Sequence, residues 1–132
     1  MEKLAINPPT LHAAPGYSQI IRVTGGTTIY IAGQVAWDAG GKLVGPGDLE
    51  AQARQAFTNL LAALSAAGAQ PSDLVKVGIY VVGHSPEKLG IIRAVRDEIF
   101  QAGALPTSTL IGVQSLALPD LLIEVDAIAV ID

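Results

Sequence analysis

The sequence predicts an α+β domain, a mixed sheet with two helices packed on one face, and three observations lead there. Short β-branched stretches bounded by Gly, Pro and Asp alternate with two longer segments of helical periodicity. Residues 121–131 form an apolar run with acids at alternate places, which suits a buried strand. No solenoid-type repeat or low-complexity tract interrupts the pattern, so residues 1–132 read as one domain.

Taken in order, the segment from Asn7-Pro8-Pro9 to Ala14-Pro15-Gly16 is rich in turn formers and is expected to run extended before the core begins. Residues 19–24 and 27–35, separated by Gly25-Gly26, read as a hairpin, and residues 38–42 as a turn. From Asp48 to Ala67 the residues Leu49, Ala53, Phe57, Leu60, Leu61 and Leu64 recur at helical spacing, with Gly68 as the stop. Residues 74–82 give a second strand. Ser85-Pro86-Glu87 then opens a helix with a capping residue, a Pro at the first position and an acid in the first turn. Its stripe is Leu89, Ile92, Val95 and Ile99, and Gly103 is expected to end it. Residues 108–116 form a strand after Pro106, and Leu118-Pro119-Asp120 turns into the last one. The order is ββαβαββ, with right-handed crossovers and a second sheet face, still apolar, that a neighbouring subunit would bury.

Composition narrows the function. Half of the 132 residues are hydrophobic, 15% are charged, and the mean hydropathy is +0.45, so part of the surface is expected to be interface. No apolar run approaches the roughly 20 residues of a membrane helix, and no signal peptide is recognisable, so a cytoplasmic protein is the default expectation, without a membrane partner. The net charge is -4 and the basic residues are scattered, which disfavours nucleic acid. The absence of Cys excludes disulfides, thiolate metal sites and a Cys nucleophile. His12 and His84 lack neighbours at metal spacing and read as surface or capping residues, so no metal is expected. The chain is too short for a separate cofactor domain, and no cofactor is expected.

The most informative feature is the pair Glu124 and Asp126. On a strand they share one face with Leu122, Ile128 and Val130, opposite Leu121, Ile123, Val125, Ala127, Ala129 and Ile131. Burying an unpaired carboxylate is costly, so that face should line a polar cleft or meet a cation. A carboxyl in a partly desolvated cleft titrates nearer neutrality, where proton transfer is most useful.

The element order, with Pro15-Gly16-Tyr17-Ser18, Ile31-Ala32-Gly33-Gln34-Val35, Val77-Gly78-Ile79-Tyr80, Pro106-Thr107-Ser108-Thr109 and the run from Ile123 to Ala129, resembles the reactive intermediate deaminase family, also called RidA or YjgF-like. The resemblance spans nearly the whole chain. It implies a chorismate-mutase-like fold, a homotrimer, and clefts between subunits that take a small-molecule ligand. In the best-known members an arginine after Pro-Ala holds the carboxylate of an imine or enamine such as 2-aminoacrylate, and water replaces the nitrogen to give a 2-oxo acid and ammonia. By that resemblance Tyr17 is the site tyrosine, Gly33 and Gln34 match the Ser-Gly-Gln segment, and Glu124 is the site glutamate.

Two positions depart from the pattern. Ser108 stands where the arginine should be, and Ala32 where a serine is usual. A guanidinium grips a carboxylate with a two-pronged, charged contact worth about 1.5 to 3 kcal/mol, and Ser cannot supply it. Arg22 and Arg93 are the cations to inspect as replacements, while Arg93 and Arg96 also fit an ordinary solvated helix face. Asp126 reads as an interface or ion-pair residue, Trp37 as a cleft-edge or interface aromatic, and Ser108 as a strand residue rather than a nucleophile.

The first function expected is hydrolysis of a small reactive imine or enamine, a deaminase reaction with Glu124 handling protons and backbone near Gly33 and Leu110 positioning water. The alternative is a non-catalytic trimer binding a small metabolite in the same clefts. An endoribonuclease or translation inhibitor, a name some relatives carry, fits the acidic chain less well.

Overall fold

The computed structural model describes residues 1–100 and 105–132. Its elements are β1 (Glu2–Ile6), β2 (Ile20–Thr24), β3 (Thr27–Gln34), α1 (Leu49–Ala66), β4 (Leu74–Val82), α2 (Pro86–Phe100), β5 (Thr107–Val113) and β6 (Ile123–Ile131). The strands β3, β6, β4 and β5 lie side by side in that order, antiparallel except for the parallel pair β4 and β5. The sheet is mixed and the class α+β. Each helix connects strands of this sheet that run the same way, which hairpin turns cannot do.

Local chemistry accounts for the helices. Asp48 caps α1 by accepting from the N–H of Ala51 at 3.1 Å, and α1 ends within two residues of Gly68. Pro86 and Glu87 occupy the first turn of α2, while the stop expected at Gly103 lies outside the described residues. Phe57, Leu60 and Leu64 of α1 and Ile92 and Val95 of α2 are fully buried over Val77, Ile79 and Val81 of β4 and Ile123, Val125 and Ala129 of β6. Burial of each such side chain contributes about 1.5 to 3 kcal/mol. Along β6 the burial alternates from Ile123 to Ala129, leaving Glu124 and Asp126 on the face away from the helices, while Val130 is buried as well.

Four expectations are corrected. β1 was not expected, because Glu2-Lys3-Leu4-Ala5-Ile6 is short and opens on two charged residues; it forms by pairing with β2 from Glu2 and Thr24 to Ile6 and Ile20. The arms of the expected hairpin therefore part at Gly25-Gly26, both at positive φ, since β2 pairs with β1 while β3 pairs with β6. β5 ends at Val113 rather than Leu116 because its partner β4 ends opposite, at Val82. The sheet face opposite the helices is also mixed rather than uniformly apolar: Tyr30, 79% exposed, and Ile111 share it with Lys76, Tyr80 and Asp126.

Side-chain amides tie the loops to α1. Gln52, completely buried, donates to the carbonyls of Gly45 and Asp120 at 3.1 and 3.0 Å and accepts from the N–H of Leu122 at 2.9 Å. Asn59 holds the Val35 and Trp37 carbonyls at 2.9 and 2.8 Å. No described helix is long and apolar enough to cross a membrane.

Candidate functional site

The residues singled out in the sequence fall into two groups, on opposite faces of the sheet. Ser108 and Leu110 pair with Val77 and Ile79, so they face the helices; Glu124 pairs with Tyr80 and faces away.

The helix-side group is assembled by a loop. Ser18, 5% exposed, donates its N–H to the Pro106 carbonyl at 3.0 Å and its hydroxyl to the Leu105 carbonyl at 2.5 Å. These bonds hold the Pro15-Gly16-Tyr17-Ser18 turn against the start of β5, which brings Tyr17 beside Ser108. Tyr17, Ser108 and Leu110 line a cavity of about 160 Å³ whose remaining polar wall is Arg93 and Arg96 of α2. Ile79, Leu89 and Ile92 make its apolar floor, which weakens dielectric screening of the charges. On its other side Tyr17 lines a wider cleft with His12, whose Nε2 lies 2.8 Å from the Tyr17 hydroxyl. His12 is therefore a partner of Tyr17, a contact that its sequence position beside a Pro-rich turn did not signal.

Arg22 is corrected as a candidate. It sits on β2, 3.9 Å from Glu2 and largely exposed, away from this cavity. The reading of Arg96 as a solvated helix-face residue is also corrected, because its side chain is only 15% exposed.

The second group surrounds Glu124. β3 carries a register shift between Ile31 and Gln34, and Gly33 lies within it. The Glu124 side chain crosses that glycine so closely that a β-carbon there would meet its carboxylate, with Cδ 2.6 Å and Cγ 2.9 Å away. Gln34 turns back, donating to the Ala32 carbonyl at 3.1 Å. Among the described residues the Glu124 carboxylate has no hydrogen-bond or ion-pair partner, so its oxygens stay available. Replacing Gly33 with Ala is expected to push this flexible carboxylate aside at little cost in stability. The check is a Gly33→Ala protein that melts within a few degrees of wild type while losing whatever activity depends on Glu124.

Asp126, read as an interface or ion-pair residue, has no ion-pair partner among the described residues and accepts weakly from the Tyr80 hydroxyl at 3.4 Å. The negative charge of Asp126, then partial burial, the hydrogen bond and the charge of Glu124, raise the Tyr80 pKa above the ordinary 10.0. Since the folded value lies above the unfolded one, the stability linked to Tyr80 is complete below about pH 10 and is lost as pH rises through the folded value. Difference titration against Tyr80→Phe should place the Tyr80 midpoint above 10.0, and Asp126→Asn should lower it; an unmoved midpoint would refute this cause. Among the described residues no group of three or more His, Asp or Glu is placed to hold a metal ion.

The sequence model of a family described as Endoribonuclease L-PSP matches residues 8–131 of this chain. The chain belongs to this RidA/YjgF-like family. Among solved structures, a Rid-family protein of unknown function from Yersinia pestis, YyfB, is 43% identical and superposes with a TM-score of 0.91, covering 99% of this chain and 100% of that one. A 2-iminobutanoate/2-iminopropanoate deaminase from Dermatophagoides farinae is 34% identical over 88% of this chain and 86% of its own length. The RutC family protein YjgH of Escherichia coli strain K12 is 35% identical over 96% of this chain and 95% of its own. Within this RidA-like frame, the departure at Ser108 lies inside the cavity lined by Arg93 and Arg96.

Proposed function

We propose that this RidA-like chain is a hydrolase that deaminates a small reactive imine or enamine in a cleft between subunits of a homotrimer. The single observation that carries the reading is the separation of the two half-sites. The Glu124 carboxylate, unpartnered over Gly33, and the Tyr17, Ser108 and Leu110 cavity lie on opposite faces of one sheet, so one protomer cannot apply both to a small ligand. Two protomers meeting across the Glu124 face can. Tyr30 and Ile111, 79% and 47% exposed beside it, supply apolar area for such a contact.

In this scheme the ligand rests in the cavity of one protomer with its C=N carbon toward Glu124 of the next. An enamine reacts as its imine tautomer, the nitrogen proton having moved to carbon. Glu124 takes a proton from water as water attacks the C=N carbon and passes it to the nitrogen, giving a carbinolamine. The hydroxyl proton of that adduct then moves by way of Glu124 to the same nitrogen, the C–N bond breaks, and the carbonyl product and ammonia leave. Backbone at Gly33 and Leu110 positions the water. The deaminase name of the Dermatophagoides farinae relative supports this chemistry.

The test is the decay of freshly generated 2-aminoacrylate with and without the protein, followed as pyruvate. Acceleration above the buffer rate supports deamination. The replacement at Ser108 favours a second reading, a trimer that binds a small metabolite without turning it over. That reading predicts ligand-induced stabilisation with no acceleration for any imine tested.

A further inference from the structure

We infer that Arg96, assisted by Arg93, supplies from α2 the grip on an anionic group that Ser108 cannot supply from β5, so that the ligand of this cavity carries a carboxylate. The inference rests on the proposed site but concerns what that site selects. The other Lys and Arg residues are elsewhere: Lys3 bonds the Ser72 carbonyl, Arg22 faces Glu2, Lys42 closes the turn with Asp38, Arg54 pairs with Glu50 and Glu98, Lys76 lies on the opposite sheet face, and Lys88 bonds the Gly83 carbonyl.

The geometry makes Arg96 an anchor rather than a surface residue. Its guanidinium packs on Gly16, where a β-carbon would lie 3.0 Å from Nη2, and this φ +81 glycine directly precedes Tyr17. Asp97 accepts from Nε at 3.0 Å and from Nη2 at 2.9 Å, which fixes the plane of the group. The Nη1 end has no acceptor among the described residues, and neither does Arg93. A fixed, half-satisfied guanidinium over an apolar floor, in a cavity that Tyr17 and Ser108 also line, matches a small carboxylate in charge and donor geometry. The volume of about 160 Å³ equals that of roughly five waters at about 30 Å³ each, which suits a ligand of a few non-hydrogen atoms.

The experiment titrates the full-length protein by calorimetry with 2-oxobutanoate and with its neutral methyl ester. Wild type should bind the acid in preference to the ester, and added salt should weaken binding of the acid. Arg96→Gln should weaken it about tenfold or more, with Arg96→Lys restoring only part, because Lys keeps the charge but not the fork. Because Arg96 also packs on Gly16, Ser108→Asp serves as a second variant that leaves α2 untouched; its added carboxylate inside the cavity should weaken acid binding to a similar degree. Equal binding of acid and ester, no binding of the acid, or acid affinity unchanged in either Arg96→Gln or Ser108→Asp would overturn the inference. Loss of imine turnover in wild type with Arg96-dependent binding of the acid would leave it standing and refute the deaminase reading instead.

Discussion

Glu124→Gln is expected to lower imine or enamine turnover about 100-fold or more while binding of a stable 2-oxo acid changes little. The amide keeps the shape that fits over Gly33 but cannot take a proton from water at neutral pH. Rates and binding measured on the same preparation separate the outcomes. Turnover unchanged by the substitution would remove Glu124 from the chemistry, whereas loss of binding and turnover together would make it a positioning residue. Gly33→Ala should follow Glu124→Gln in activity, since both take the carboxylate from its place.

The largest effect on stability is expected from Gln52→Leu. The side chain is of similar size, so the core stays filled, but the Gly45 and Asp120 carbonyls and the Leu122 N–H each lose a partner. Stranding buried polar backbone groups costs about 1 to 3 kcal/mol each, reduced where water reaches them, so a loss of about 3 kcal/mol is expected. For a chain of 132 residues that lowers the melting temperature by roughly 10 °C. Thermal or denaturant unfolding checks this directly. A shift within about 1 °C would mean that water satisfies all three groups. The same bond to Leu122 lies just ahead of β6, so a milder loss of activity should accompany the loss of stability.

Much of the fold was legible because local chemistry and tertiary packing agree. The Asp48 cap, the Pro86 start of α2, the stripes ending at Leu64 and Ile99, and the alternation along β6 each agree with the packing around them. β1 was missed because a five-residue strand is defined by its partner rather than by its own residues. The Gly25-Gly26 turn signal was real, but which strands pair across it depends on contacts far along the chain. The same limit applies to the site. Glu124 showed itself as an acid in an apolar run, and Gly33 as a glycine in a strand. The role of Arg96 did not, since a helix-face arginine looks alike whether water or a Gly16 backbone lies against it. His12 met Tyr17 through a loop whose path no periodicity encodes.

The proposed shared site requires that Glu124 of one protomer act on a ligand held by the Tyr17, Ser108 and Leu110 cavity of another. Co-expression of Glu124→Gln and Ser108→Asp chains, each far less active than wild type by itself at low substrate concentration, puts this to the test. At random assortment in a cyclic trimer, about a quarter of the interfaces pair an intact Glu124 with an intact cavity, so about a quarter of wild-type turnover should return. Mixed oligomers that stay as inactive as either parent would contradict the shared site.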